Sequence, residues 1–204
     1  MRRRQFLLGG AGAAGLSGLQ LPGPTPARAE CGAGGELLHR RIPGEQLERL
    51  QVYDQRFSEW RAAKPTESAL AGAPLKVVHL WADWCRPCVA ELPLVKRLAA
   101  RISETSTLRA RLLCVAAIPN APQMERFVKD NPKIMPAGPW YQDTGELLVR
   151  FSRAHLPGGR EVLPLTLLLD ERQIVRHAVI GAIEAQTLSL LDVLKRLTDQ
   201  LSPP

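Results

Sequence analysis

The run Leu75-Lys76-Val77-Val78-His79-Leu80-Trp81 passes straight into Ala82-Asp83-Trp84-Cys85-Arg86-Pro87-Cys88, and this junction constrains the chain more than any other feature. A Val-rich apolar run of this length predicts a buried strand. A helix is expected to follow from Cys85 to about Arg101, kinked by Pro93. The first cysteine therefore stands at a helix N-terminus, where unpaired N–H groups and the helix dipole lower a thiol pKa. Only a thiolate attacks a disulfide, and a second cysteine one turn along can resolve the mixed disulfide that forms. The pair Cys85/Cys88 thus suits reversible dithiol chemistry. A structural zinc site is the competing use of such a pair, but it needs four ligands. No second pair at ligand spacing exists and the His residues are scattered, so neither a metal nor another cofactor is expected.

The rest of the chain from Leu75 reads as a compact α/β pattern. Arg109 to Ile118 is a second buried strand, and Asn120 caps a short helix through Lys129. A Pro-rich passage, Trp140-Tyr141 and an Asp143-Thr144-Gly145 turn lead to a helix from Glu146 to about Ala154. Leu165 to Leu169 and Ile174 to Ile180 flank a tight polar turn and predict an antiparallel hairpin. Ile183 to Leu201 closes the chain as a helix with Leu188, Leu191, Leu194 and Leu197 on its core face. Ahead of this pattern, Leu47, Leu50, Tyr53, Phe57 and Trp60 recur at helical spacing, so one amphipathic helix is expected from Glu45 to Ala63. A linker from Lys64 to Pro74 follows it.

Charge locates the chain in the cell. The formal charge of +7 suggests nucleic acid or anionic membrane, yet four of those charges are Arg2, Arg3, Arg4 and Arg28, with no acid among residues 1–29. The basic start, the apolar Phe6-Leu7-Leu8 with its Gly/Ala-rich continuation, and Ala27-Arg28-Ala29 have the layout of a secretory signal cleaved after Ala29. Arg3-Arg4-Gln5-Phe6-Leu7 resembles the bacterial twin-arginine export signal. An uncleaved membrane anchor is the other reading of the same segment. The remaining chain carries +3 and no basic patch that calls for nucleic acid. The expected organisation is a signal over 1–29, a helical extension and linker over 30–74, and an α/β domain over 75–201, in the periplasm or an equivalent extracytoplasmic space.

WADWCRPC, the strand KVVHL before it, Pro93 five residues after Cys88, and VLPLTLLLD further on together resemble thioredoxin-fold oxidoreductases over about Leu75 to Leu201. The continuation Val89-Ala90-Glu91-Leu92-Pro93 and the long passage before VLPLT look like the exported TlpA/ResA-type branch. The resemblance implies a central mixed sheet flanked by helices, with an extra strand and helix inserted between Asn120 and Ala154. It implies thiol-disulfide oxidoreductase activity, with Cys85 as nucleophile, Cys88 as resolving thiol and Trp84 as part of the active-site motif. Pro164 falls at the family's cis-proline, Leu163 would offer its backbone to a client, and Glu91 matches an acid near the cysteines. Read without the family, Pro164 is a strand-start proline and Glu91 an exposed helix residue. The branch also implies exported clients, a membrane-bound electron donor, and a reductive role such as cytochrome c maturation.

Other features stand apart from the family pattern. His79 occupies a buried-strand position where thioredoxins usually carry an acid; it is either a proton acceptor for Cys88 or a satisfied core histidine. Arg86 beside Cys85 favours the thiolate and lies toward the client groove; His155 and Arg160, in the loop from Ala154 to Val162 that leads to Pro164, are either further lining of that groove or ordinary solvated loop residues. The family's N-terminal hairpin is not evident, a helix standing in its place. Cys31 and Cys114 either staple the N-terminal segment to the second strand or remain a free thiol and an inert buried one. The competing class is a copper-delivery module using Cys85, Cys88 and His155 or His177.

Overall fold

The computed structural model describes residues 35–54, 59–65, 68–117, 121–136, 139–144, 147–183 and 187–201. The signal segment, Cys31 and the Asn120 cap lie outside them. Among the described residues no helix is long and apolar enough to cross a membrane.

Strands β1 (Gln51–Asp54), β2 (Glu59–Ala62), β3 (Leu75–Trp81), β4 (Ala110–Ala116), β5 (Trp140–Gln142), β6 (Leu165–Leu169) and β7 (Val175–Ile180) form a sheet in the order β2-β1-β5-β4-β3-β6-β7. Helices are α1 (Gly44–Glu48), α2 (Arg86–Glu104), α3 (Ala121–Asp130), α4 (Leu147–His155) and α5 (Thr187–Leu201). Strand β3 lies parallel to β4 and antiparallel to β6, with all seven of its residues buried. A strand with neighbours on both edges and helices on both faces has no solvated side, which is why its sequence is a continuous apolar run. The expected hairpin is β6/β7, pairing Leu165 with Ile180.

Alternation along β3 divides the core. Val78 and Leu80 face a layer containing Leu37, Ile42, Leu47, Leu148 and Phe151. Val77 points the other way, toward Val95 and Leu98 of α2 and Leu190 and Leu194 of α5. Trp81, on that same face, joins Cys85, Cys88, Leu92, Cys114 and Met124. Of the leucine stripe expected on the last helix, Leu194 is fully buried and Leu191 and Leu197 pack partly buried beside it. Pro93 lies inside α2 without ending it.

The inserted passage supplies α3 and β5, extending the sheet past β4, before α4 begins. Asp143, at the end of β5, accepts the Leu148 N–H at 2.7 Å and so caps the start of α4 with a carboxylate. The single helix expected from Glu45 to Ala63 is not present. Helix α1 ends at Glu48, and β1 and β2 pair antiparallel with Tyr53 opposite Trp60. Their rings lie 5.2 Å apart and Trp140 stacks on Tyr53 at 5.5 Å. Val52 pairs with Tyr141 of β5, so a distant strand claims residues whose spacing also fits a helix.

Candidate functional site

The site stands where β3 ends. Trp81 O accepts the Ala117 N–H at 2.7 Å, and the turn closed by Cys85 N to Ala82 O at 3.2 Å carries the chain into α2. Cys85 occupies the N-cap of α2, where Sγ accepts the Cys88 N–H at 3.3 Å and Pro87 sits in the first turn. Proline fits there because the first-turn N–H groups have no helical partner in any case. The two cysteines form a disulfide, with Cα atoms 5.2 Å apart. Cys85 is 6% exposed and Cys88 0%, so the outer sulfur is the one an incoming group meets first.

Asp83 stiffens the approach. One carboxylate oxygen accepts the Trp84 N–H at 2.9 Å and the other accepts from Gln123 on α3, tying the inserted helix to the active-site turn. Gln123 was invisible as a site residue because nothing in its local sequence reports a contact forty positions away. Trp84 is 63% exposed, the one exposed large hydrophobic among the described residues. Arg86 is exposed beside it.

The Leu163–Pro164 peptide bond is cis, at the position the family resemblance indicated. Leu163 packs on the cluster that holds Cys85 and Cys88, and Pro164 O accepts the Gly181 N–H at 2.9 Å. Gly181 has φ +84°, a conformation costly to any residue with a Cβ. Beside this segment lies an apolar pocket of about 190 Å³ lined by Leu156, Pro157, Arg160, Val162 and Ile180. Arg160 lines this pocket, and the His155 ring packs edge-on against Phe151 at 4.8 Å.

Glu91 and His79 meet behind the cysteines. Glu91 is buried, not an exposed helix residue, and its Oε2 accepts the Ile183 N–H at 2.9 Å. Its Oε1 lies 3.5 Å from His79 Nε2, while His79 Nδ1 contacts Thr166 Oγ1 at 3.0 Å. Burial raises the Glu91 pKa from 4.5 to about 7, opposed by the hydrogen bond from Ile183. Burial lowers that of His79 from 6.5 to about 4. Both are thus held toward their uncharged forms. Cys114, register partner of His79 on β4, is a free buried thiol pushed by burial up to about 12. His177, half-buried on β7, has its pKa lowered by burial and by the charge of Arg196. No group of three His, Cys, Asp or Glu among the described residues is placed to hold a metal ion.

Fold and site together define a thioredoxin-fold chain with a Cys-x-x-Cys disulfide at the N-terminus of its longest described helix. Solved structures agree on the fold. DsbF of MTB, solved in mixed oxidised and reduced forms, is 22% identical and superposes with a TM-score of 0.51 over 76% of this chain and 98% of its own. The N-terminal domain of PilB from Neisseria gonorrhoeae is 20% identical with a TM-score of 0.52, over 75% of this chain and 92% of its own. No protein-family profile and no curated protein sequence matches the chain.

Proposed function

We propose that this protein is an exported thiol-disulfide oxidoreductase. The observation that carries the reading is Cys85 Sγ at the α2 N-cap, accepting the Cys88 N–H at 3.3 Å and more exposed than its buried partner. In the reduced protein the helix N-terminus favours the Cys85 thiolate, and exposed Arg86 adds a cation nearby. The thiolate attacks a client disulfide, the client's first sulfur leaves as a thiolate, and a mixed disulfide on Cys85 remains. Cys88 then attacks Cys85 Sγ, closing the intramolecular disulfide and releasing the client's second thiolate. A dithiol donor reverses the change. Leu163 and Pro164 supply the backbone against which an extended client segment docks, with Trp84 and Arg86 at its edge.

We assign the reducing direction and an extracytoplasmic location, with clients that are exported cysteine proteins and electrons from a membrane-bound donor, in the manner of cytochrome c maturation. Arg3-Arg4 and the apolar stretch after them support the location. The test is reduction of insulin disulfides with dithiothreitol as donor. The protein without residues 1–29 is expected to accelerate precipitation of the insulin chains. Cys85→Ala is expected to abolish that acceleration, and activity surviving the substitution would contradict the assignment.

A further inference from the structure

The turn that leads into the redox cysteines is held by the inserted passage. Its closing bond runs from the Cys85 N–H to Ala82 O at 3.2 Å, which leaves Asp83 and Trp84 as the two central residues. Asp83 is half-buried there, with Oδ1 accepting the Trp84 N–H at 2.9 Å and Oδ2 accepting from Gln123 Nε2. Gln123 belongs to α3. Two more residues of that helix reach the same place. Met124 is buried in the cluster that holds Cys85 and Cys88, and the Phe127 ring meets Trp81 at 5.3 Å.

Packing alone does not call for the Gln123 hydrogen bond, because Met124, Phe127 and Val128 already fix α3 on the core through apolar contacts. What the amide adds is a donor for a carboxylate two residues before the outer cysteine. The α2 N-terminus favours negative charge on Cys85, and a carboxylate at this point of the turn opposes it. The positive edge of an amide set against that carboxylate offsets part of the opposition.

Resting on the proposed dithiol chemistry, we propose that Asp83 and Gln123 act as a pair on the charge of the redox site. Asp83 holds back the ionisation of Cys85, and Gln123, a positioning residue on the inserted helix, limits how far it does so. The consequence for direction follows from which state carries the charge. A thiolate exists only in the reduced protein, so a carboxylate beside it destabilises the dithiol and makes it the stronger reductant. The inserted helix thus reaches the redox chemistry through one hydrogen bond.

Arg86, on the helix that Cys85 caps, is an exposed cation that favours the thiolate. Behind the sulfurs, Glu91 of α2 and His79 of β3 are held toward their uncharged forms, and burial keeps the Cys114 thiol of β4 protonated. Met124 and Val128 of α3 and Leu163 ahead of β6 bring apolar contact alone. Glu125 and Arg126 lie at helical positions off the face of α3 that carries Met124, Phe127 and Val128.

The test follows alkylation of Cys85 by iodoacetamide in the reduced protein as a function of pH, with the site mapped by peptide mass. The readout is the midpoint of the profile, since a loosened turn would change access at every pH alike. Asp83→Asn is expected to move the midpoint down by about half a pH unit, which is about threefold in rate on the acid side. Gln123→Ala should move it up by a similar amount, and Gln123→Lys, which sets a full cation against Asp83, should move it below wild type. With Asp83→Asn in place, adding Gln123→Ala should produce no further shift. Unchanged midpoints, shifts of one sign for Asp83→Asn and Gln123→Ala, or a Gln123→Ala shift that persists without the Asp83 charge would each overturn the proposal. A wild-type Cys85 no more reactive at acid pH than Cys88 and Cys114 would instead overturn the dithiol reading beneath it.

Discussion

Replacing one member of the His79/Glu91 pair should give the protein a pH-dependent stability whose sign depends on which member is removed. Both pKa shifts arise from burial and neither from the other residue, so each survives loss of its partner. Between pH 4.5 and 6.5 the unfolded pair holds one proton on the histidine, and the native pair holds one on the glutamate. Equal proton counts mean that the wild-type pair contributes no slope in that window. With His79→Asn the native protein binds a proton that the unfolded chain does not. The Glu91 contribution is then fully present below pH 4.5 and lost as pH rises through about 7, at about 1.4 kcal/mol per pH unit. With Glu91→Gln the sign reverses: the His79 contribution is present above pH 6.5 and lost as pH falls through about 4, at the same slope of about 1.4 kcal/mol per pH unit. Across this window the stability difference between the two variants changes by about 5 kcal/mol. Urea unfolding followed by Trp fluorescence, with the Cys85–Cys88 disulfide intact, measures it at three pH values. Parallel profiles for the two variants would refute the reasoning, because they would mean that the native pair is not held uncharged.

Other expectations follow from single contacts. Gly181→Ala puts a Cβ into open space but at φ +84°, so urea unfolding should show a loss of about 1–2 kcal/mol with the sheet intact by circular dichroism. Trp84→Ala removes a ring that is 63% exposed; stability should change by less than about 0.5 kcal/mol while the rate of insulin reduction falls. Replacing Arg3 and Arg4 by lysines should block export in a bacterial cell, read as retention of the uncleaved chain in the cytoplasmic fraction.

The sequence was most legible where local chemistry and global position agree. Strand β3 is apolar throughout because it is buried throughout, and the Cys85-Arg86-Pro87-Cys88 turn carries its own cap, first-turn proline and thiols. The β6/β7 hairpin was equally plain, since its turn residues Asp170 to Gln173 lie between two apolar runs and Asp170 Oδ1 accepts the Arg172 and Ile174 N–H groups. Residues 51–54 and 59–62 read as helix in the sequence because Leu50, Tyr53 and Trp60 satisfy a helical period, while β5, the strand that holds β1 in the sheet through Val52 and Tyr141, lies some ninety positions on. The burial of Glu91 was hidden for the same reason: the Ile183 N–H that fixes it is far away in sequence, and only the closed fold brings it to α2.

The central claim is that Cys85 exchanges disulfides and Cys88 resolves them. Its most direct measurement is a trap: Cys88→Ala expressed with its export signal, the extracytoplasmic fraction quenched in acid and alkylated, and partners sought by non-reducing electrophoresis and peptide mass mapping. The account predicts mixed disulfides joined through Cys85, released by dithiothreitol and absent from the Cys85→Ala/Cys88→Ala double variant. Adducts joined through Cys114, or no adducts while Cys85 is found fully alkylated, would contradict it.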